Sequence, residues 1–256
     1  MPESQGPKSL PTLDQAVETF VLGFSQSRSL TYPYPADRIG RVWAVRDAGR
    51  KNAADYRREE YVACDDVPPT EVNAFARGQT RGNFAVCYIV PEGGDDGPAR
   101  RAFKGLNYRL RCSEPIFVHP LKPIARPDSA IRVERVADEA LAVRVAKYAG
   151  RPMSWKGDLT VHAPLRSYVA LDAAGDIMGH VCSGRAGDRT YCSFLFTDPA
   201  HRRKGVARNL LLRMLRDDRA TGAGASVLTS SQAGAMLYPT VGYRRLATLL
   251  LFKPKA

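Results

Sequence analysis

The chain has 256 residues, with 38 Lys and Arg against 26 Asp and Glu, a net charge of +12. That balance suits a polyanionic ligand, but the basic residues are scattered without a Lys/Arg block, which argues against nucleic acid as the partner. No apolar run is long enough to cross a membrane, and the five cysteines (Cys64, Cys87, Cys112, Cys182, Cys192) form neither a Cys-x-x-Cys pair nor a His/Cys cluster, so no metal site is expected.

Residues 1–10 are polar with two prolines and are expected to be loose. They lack the apolar core of a secretory leader, and with widely spaced thiols this suggests a reducing, cytoplasmic setting. Leu13 to Phe24 reads as a helix with Val17, Phe20, Val21 and Phe24 on one face. The Thr-Tyr-Pro-Tyr-Pro run ending at Pro35 cannot be regular helix. Arg41 to Arg46 and Glu59 to Cys64 read as strands, separated by a polar turn over 47–55. A short helix over Pro69 to Gly78, a strand over Asn83 to Val90, a helix over Ala99 to Leu106 and a strand over Tyr108 to His119 follow. Pro120, Pro123 and Pro127 mark a linker.

Beyond it, Ile131 to Val136 alternates like an edge strand, and Ala137 to Ala149 is a helix stopped by Gly150. Residues 151–165 are irregular. Ser167 to Asp172 and Ile177 to Ser183 make a hairpin around Ala-Ala-Gly-Asp. Thr190 to Thr197 is a strand, and Val206 begins a helix whose apolar face carries Leu210, Leu211, Leu212, Met214 and Leu215. A strand over Ala225 to Ser230, a short helix over Gly234 to Val241 and a strand over Tyr243 to Lys253 complete the chain. The fold class is α/β of the α+β kind, a mixed and mostly antiparallel sheet with covering helices.

The chemistry concentrates between Thr190 and Arg208. Pro199 ends the strand, and Arg202, Arg203 and Lys204 crowd the start of the next helix. Cations there oppose the helix dipole. The arrangement makes sense if an anion sits on the turn, held by free backbone N–H groups, with Gly205 allowing close approach.

From here the sequence resembles the GNAT-type N-acetyltransferase superfamily, over roughly residues 131–256. The resemblance rests on Arg202-x-x-Gly205-x-Ala207, on the strand at Ala225 to Ser231, and on Leu237-Tyr238-Pro-Thr-Val-Gly242-Tyr243. It implies an acetyl-CoA-dependent N-acetyltransferase that moves an acetyl group to a primary amine of a small molecule, by direct attack through a tetrahedral intermediate. By the same resemblance, Phe196 and Thr197 take the pantetheine arm. Arg202, Arg203, Lys204, Gly205, Val206, Ala207 and Arg208 take the phosphates, and a backbone N–H near Phe196 holds the oxyanion. Tyr238 protonates the leaving thiolate, a role suited to a phenol that is neutral at pH 7. Ser231 stands where the family often has Asn. The strand over 190–197 carries no carboxylate to act as base, which leaves Tyr191, His180, His201 or a water chain. That gap motivates the alternative of a non-catalytic acyl-CoA sensor.

The N-terminal half looks like a second, degenerate unit. Phe103-Lys-Gly-Leu-Asn-Tyr108 parallels Tyr238-Pro-Thr-Val-Gly-Tyr243 at a constant offset of 135 (238 − 103, 243 − 108). Where the anion loop belongs stands Val67-Pro68-Pro69-Thr70-Glu71, with donors lost to proline and phosphate repelled by Asp65, Asp66 and Glu71. The expected organisation is a tandem: residues 1–119 without CoA, a linker over 120–130, and a CoA-binding unit over 131–256. Neither the acceptor's identity nor the oligomeric state is written in the sequence.

Overall fold

The computed structural model describes residues 10–255. The loose segment expected at the N-terminus lies, apart from Leu10, outside them. The first half comprises α1 (Leu13–Arg28), β1 (Ala36–Ile39), β2 (Val42–Val45), β3 (Glu59–Cys64), α2 (Pro69–Gln79), β4 (Phe84–Pro91), α3 (Gly97–Gly105) and β5 (Tyr108–His119). The second comprises β6 (Arg132–Arg135), α4 (Glu139–Ala149), β7 (Leu165–Leu171), β8 (Ile177–Ala186), β9 (Arg189–Thr197), α5 (Val206–Ala220), β10 (Ala225–Thr229) and β11 (Arg244–Pro254). The helix ends follow local chemistry. Thr12 and Gln15 form a reciprocal capping box on α1, Asp138 caps α4, and Gly150 ends α4 in the left-handed region.

The eleven strands of the described residues join one sheet in the order β1-β2-β3-β4-β11-β5-β10-β9-β8-β7-β6. The last strand of each half is exchanged. β5 lies between β10 and β11, and β11 lies between β4 and β5. Their antiparallel ladder has the symmetry of the repeat. Glu114 pairs with Leu249, its own counterpart at an offset of 135 (249 − 114), and the two register shifts fall at equivalent places, skipping Leu246 on β11 and Arg111 on β5 (246 − 111 = 135). A pseudo-twofold axis therefore runs through that pair.

Side-chain alternation sends successive residues to opposite faces. On one face Cys192 and Leu228 join the cluster under α5 with Tyr168, Leu210 and Leu211. On the other, Tyr191 and Val227 join the cluster under α1 with Phe20, Val21 and Ile116. α1 thus belongs to the first half in sequence but packs on β8, β9 and β10. The proline-rich stretch after β5 has no regular element yet is tied down. Leu121 is buried, its N–H donates to His119 Nδ1 at 2.8 Å, and the Asp128 N–H donates to Asn209 Oδ1.

Three local differences from the sequence reading have simple causes. β1 was not expected, because three of its four residues are exposed and give no apolar alternation. α1 runs to Arg28, past Phe24. The short helix expected over 234–241 is a turn followed by a 3-10 turn at Tyr238–Val241, interrupted by Pro239 and closed by Gly242 at φ 100°.

Candidate active site

β9 and β10 run parallel but pair only over Arg189–Tyr191 with Ala225–Val227. β9 continues six residues further, so the strands part and open a cleft of about 710 Å³. The corresponding pair in the first half, β3 and β4, stays zipped over the whole of β3 from Glu59 to Cys64. No fork opens there.

The departure of β9 is helped by a bulge. The ladder with β8 shifts between Cys182–Ser193 and His180–Phe196, so that Phe194 and Leu195 oppose the single residue Val181. Phe194 adopts φ 54°, uncommon for an aromatic residue. A bulge of this kind frees backbone groups from the ladder.

At the mouth, Pro199–His201 makes a 3-10 turn capped by Asp198, and the chain then curls into α5. Arg203 (φ 58°) and Gly205 (φ 80°) are both left-handed, and Gly205 is the N-cap of α5. None of the backbone N–H groups from Arg203 to Arg208 meets an acceptor among the described residues. Alternating handedness of this sort makes a concave nest of donors, here extended by the free first turn of α5. The three basic residues precede the N-cap; they do not occupy the first turn as the sequence suggested. Asn209, buried on α5, braces the nest by donating to the Gly205 carbonyl at 3.0 Å.

Phe196, Thr197, Arg202, Arg203, Gly205, Val206, Ala207, Arg208, Ser231 and Tyr238 all line this one cleft. Lys204 is exposed beside it and is not part of its wall. The structure adds Ser193, Ser230 and Thr229 to the lining. The hydroxyl oxygens of Ser193 and Thr197 are buried without a hydrogen-bond partner. Asn209 was missed as well. Its signal was a polar residue at the head of an otherwise apolar helical face.

Tyr238 is 7 % exposed and packs against Phe117 and Tyr243. Burial pushes its phenol above the ordinary value, reinforced by Cys192 and opposed by the Ser230 hydroxyl. It therefore keeps its proton at neutral pH.

The base candidates separate by position. Tyr191 is buried under α1, its hydroxyl 3.0 Å from that of Thr229, and burial raises its pKa. His180 is 6 % exposed, stacked on Phe196 and edge-on to Tyr148, and burial lowers its pKa. His201 lines the cleft mouth. Among the described residues no group of His, Cys, Asp and Glu is arranged to hold a metal.

Residues 164–245 match the family model described as acetyltransferase (GNAT) domain. Over that span the chain carries an acetyltransferase (GNAT) domain. Solved GNAT structures share its fold across nearly the whole length. A GCN5-related N-acetyltransferase from Kribbella flavida superposes with a TM-score of 0.60 at 15% identity, covering 91% of this chain and 94% of its own. A GCN5-related N-acetyltransferase from Sphaerobacter thermophilus gives 0.58 at 14% identity, covering 83% and 76%. A tandem GNAT protein from the clavulanic acid biosynthesis pathway gives 0.51 at 12% identity, covering 97% and 89%. No curated protein matches in sequence. In GNAT terms, the forked β9–β10 pair and the nest before α5 lie within the matched span.

Proposed function

We propose that the protein is an acetyl-CoA-dependent N-acetyltransferase acting on a primary amine of a small molecule. The observation that carries this reading is the run of free backbone donors from Arg203 to Arg208 at the head of a forked cleft. Such donors, with Arg202, Arg203 and Arg208 around them, suit the diphosphate of coenzyme A.

Acetyl-CoA, when bound, brings a thioester carbonyl open to attack by an amine. The residues of this chain then divide the work. The nest and its arginines bind and orient, and Phe196 and Thr197 border the arm. A backbone N–H freed by the bulge near Phe196 stabilises the oxyanion. Tyr238 gives its proton to the departing sulfur, and the attacking nitrogen releases one to solvent. Residues 131–256 form the active unit, joined by the strap over 120–130 to residues 1–119.

The first unit does not bind CoA in this reading. Its strands β3 and β4 do not fork, Pro68 and Pro69 remove donors ahead of α2, and Asp65, Asp66 and Glu71 surround the turn. Phe103, the counterpart of Tyr238, is fully buried and stacked on Phe252.

The absence of a carboxylate on β9 favours one other reading, an acyl-CoA sensor without turnover. Incubation with acetyl-CoA and a panel of amines, with thiol release as the readout, separates the two. Release with at least one amine supports the enzyme, and tight CoA binding with no release from any amine supports the sensor.

A further inference from the structure

A second cavity, of about 160 Å³, lies on the opposite face of the sheet from α5, beneath α1. Phe20, Val21 and Phe24 of α1 cover it, and Val62, Leu249 and Leu251 contribute apolar wall from the sheet. Thr229 lines both this cavity and the cleft, and its hydroxyl meets that of Tyr191, which also borders the cavity. Thr229, at the end of β10, is thus common to the walls of both spaces.

Two carboxylates face this apolar space, and they are not equivalent. Glu60 is buried and matched: Arg58 pairs with it at 2.9 Å, and the Tyr34 hydroxyl donates to it. Glu114 takes part in no ion pair among the described residues, and its hydrogen-bond partner is the Cys112 thiol at 3.4 Å. Leu249, its counterpart in the repeat, sits across the ladder in the same wall. The pseudo-symmetry therefore places an apolar residue opposite, and the carboxylate is a departure from it. Glu114 is half-buried, and Arg58, which also borders the cavity, is engaged with Glu60, so an ammonium entering this space would find in Glu114 a carboxylate without an ion-pair partner among the described residues.

We propose that this cavity receives the acceptor, a primary ammonium on a short apolar stem, with Glu114 of the degenerate unit meeting its charge. This rests on reading the adjoining cleft as the acetyl-CoA site. The exchanged strand β5 is what brings the first unit's carboxylate to the second unit's reaction centre. Glu114 then determines specificity, selecting cationic over neutral or anionic acceptors of the same shape.

Calorimetry with 2-phenylethylamine, 2-phenylethanol and phenylacetate on the intact protein, without acetyl-CoA, tests it directly. The amine is expected to bind more tightly than the alcohol, with phenylacetate weakest, and Glu114→Gln is expected to weaken the amine about tenfold. Acetyl-CoA affinity of Glu114→Gln is expected to equal that of wild type. Equal binding of amine and alcohol by the wild type, or amine affinity untouched in a folded Glu114→Gln protein, overturns the proposal. Should the variant not fold, the wild-type ranking alone decides. Amine binding with the expected ranking in a protein that ignores acetyl-CoA would sink the enzyme reading and leave the amine pocket standing.

Discussion

Gly23 of α1 lies directly against Tyr191 of β9: a methyl group built on Gly23 would fall 2.1 Å from Tyr191 Cβ. That contact couples the N-terminal helix to the strand that forks, and only glycine permits it. Gly23→Ala should therefore be destabilising although alanine is the better helix former. Overpacking of this kind costs about 1–3 kcal/mol. Urea unfolding checks it; an unchanged midpoint would show that α1 is free to lift.

Tyr238→Phe removes a proton donor and leaves the ring packing against Phe117 and Tyr243. Turnover should fall by about a factor of 100, as for loss of a general acid. Acetyl-CoA affinity, set by the nest, should be unaffected. Wild-type turnover in the variant would take Tyr238 out of the mechanism.

Arg166 of β7 and Asp218 of α5 form a buried ion pair at 2.6 Å, with the Ser183 and Thr190 hydroxyls also donating to the carboxylate. Arg166→Ala would strand that carboxylate in the core. A loss of about 3–5 kcal/mol is expected from chemical denaturation. A loss under about 1 kcal/mol would mean that Asp218 takes up a proton and stays neutral.

Asp47 gives the pH signature of the first unit. Burial raises its carboxyl, but hydrogen bonds from Arg57 and Arg50 outweigh this and bring it down to about 2. A folded-state value below the unfolded one stabilises above the unfolded pKa of 3.8 and is lost as pH falls towards 2. Asp47→Asn should be less stable than wild type by about 2 kcal/mol at pH 7. The gap should close between about pH 4 and pH 2. A gap independent of pH would assign the effect to packing.

The second half was legible because its signals are local. The basic turn, the apolar face of α5 and the Tyr238 segment each announce themselves within a few residues, and the cleft brings them together. The repeat was legible from Phe103 and Tyr108 set against Tyr238 and Tyr243. The exchange of β5 and β11 was not, since it concerns which neighbours two similar strands choose. Glu114 escaped the sequence reading for the same reason: it reaches the neighbourhood of Tyr191 only through the position of β5 in the sheet. β1 escaped notice because an exposed edge strand has no apolar period to read.

The central claim is that the nest at Gly205 holds the diphosphate of coenzyme A, once per chain. Isothermal titration with acetyl-CoA, on the wild type and on Gly205→Asp, tests it most directly. The variant places a carboxylate where φ is 80° and where the anion would lie, so strain and repulsion act together. One site per chain in the wild type and none in Gly205→Asp is the predicted result. No heat at millimolar ligand, or two molecules bound per chain, would contradict it.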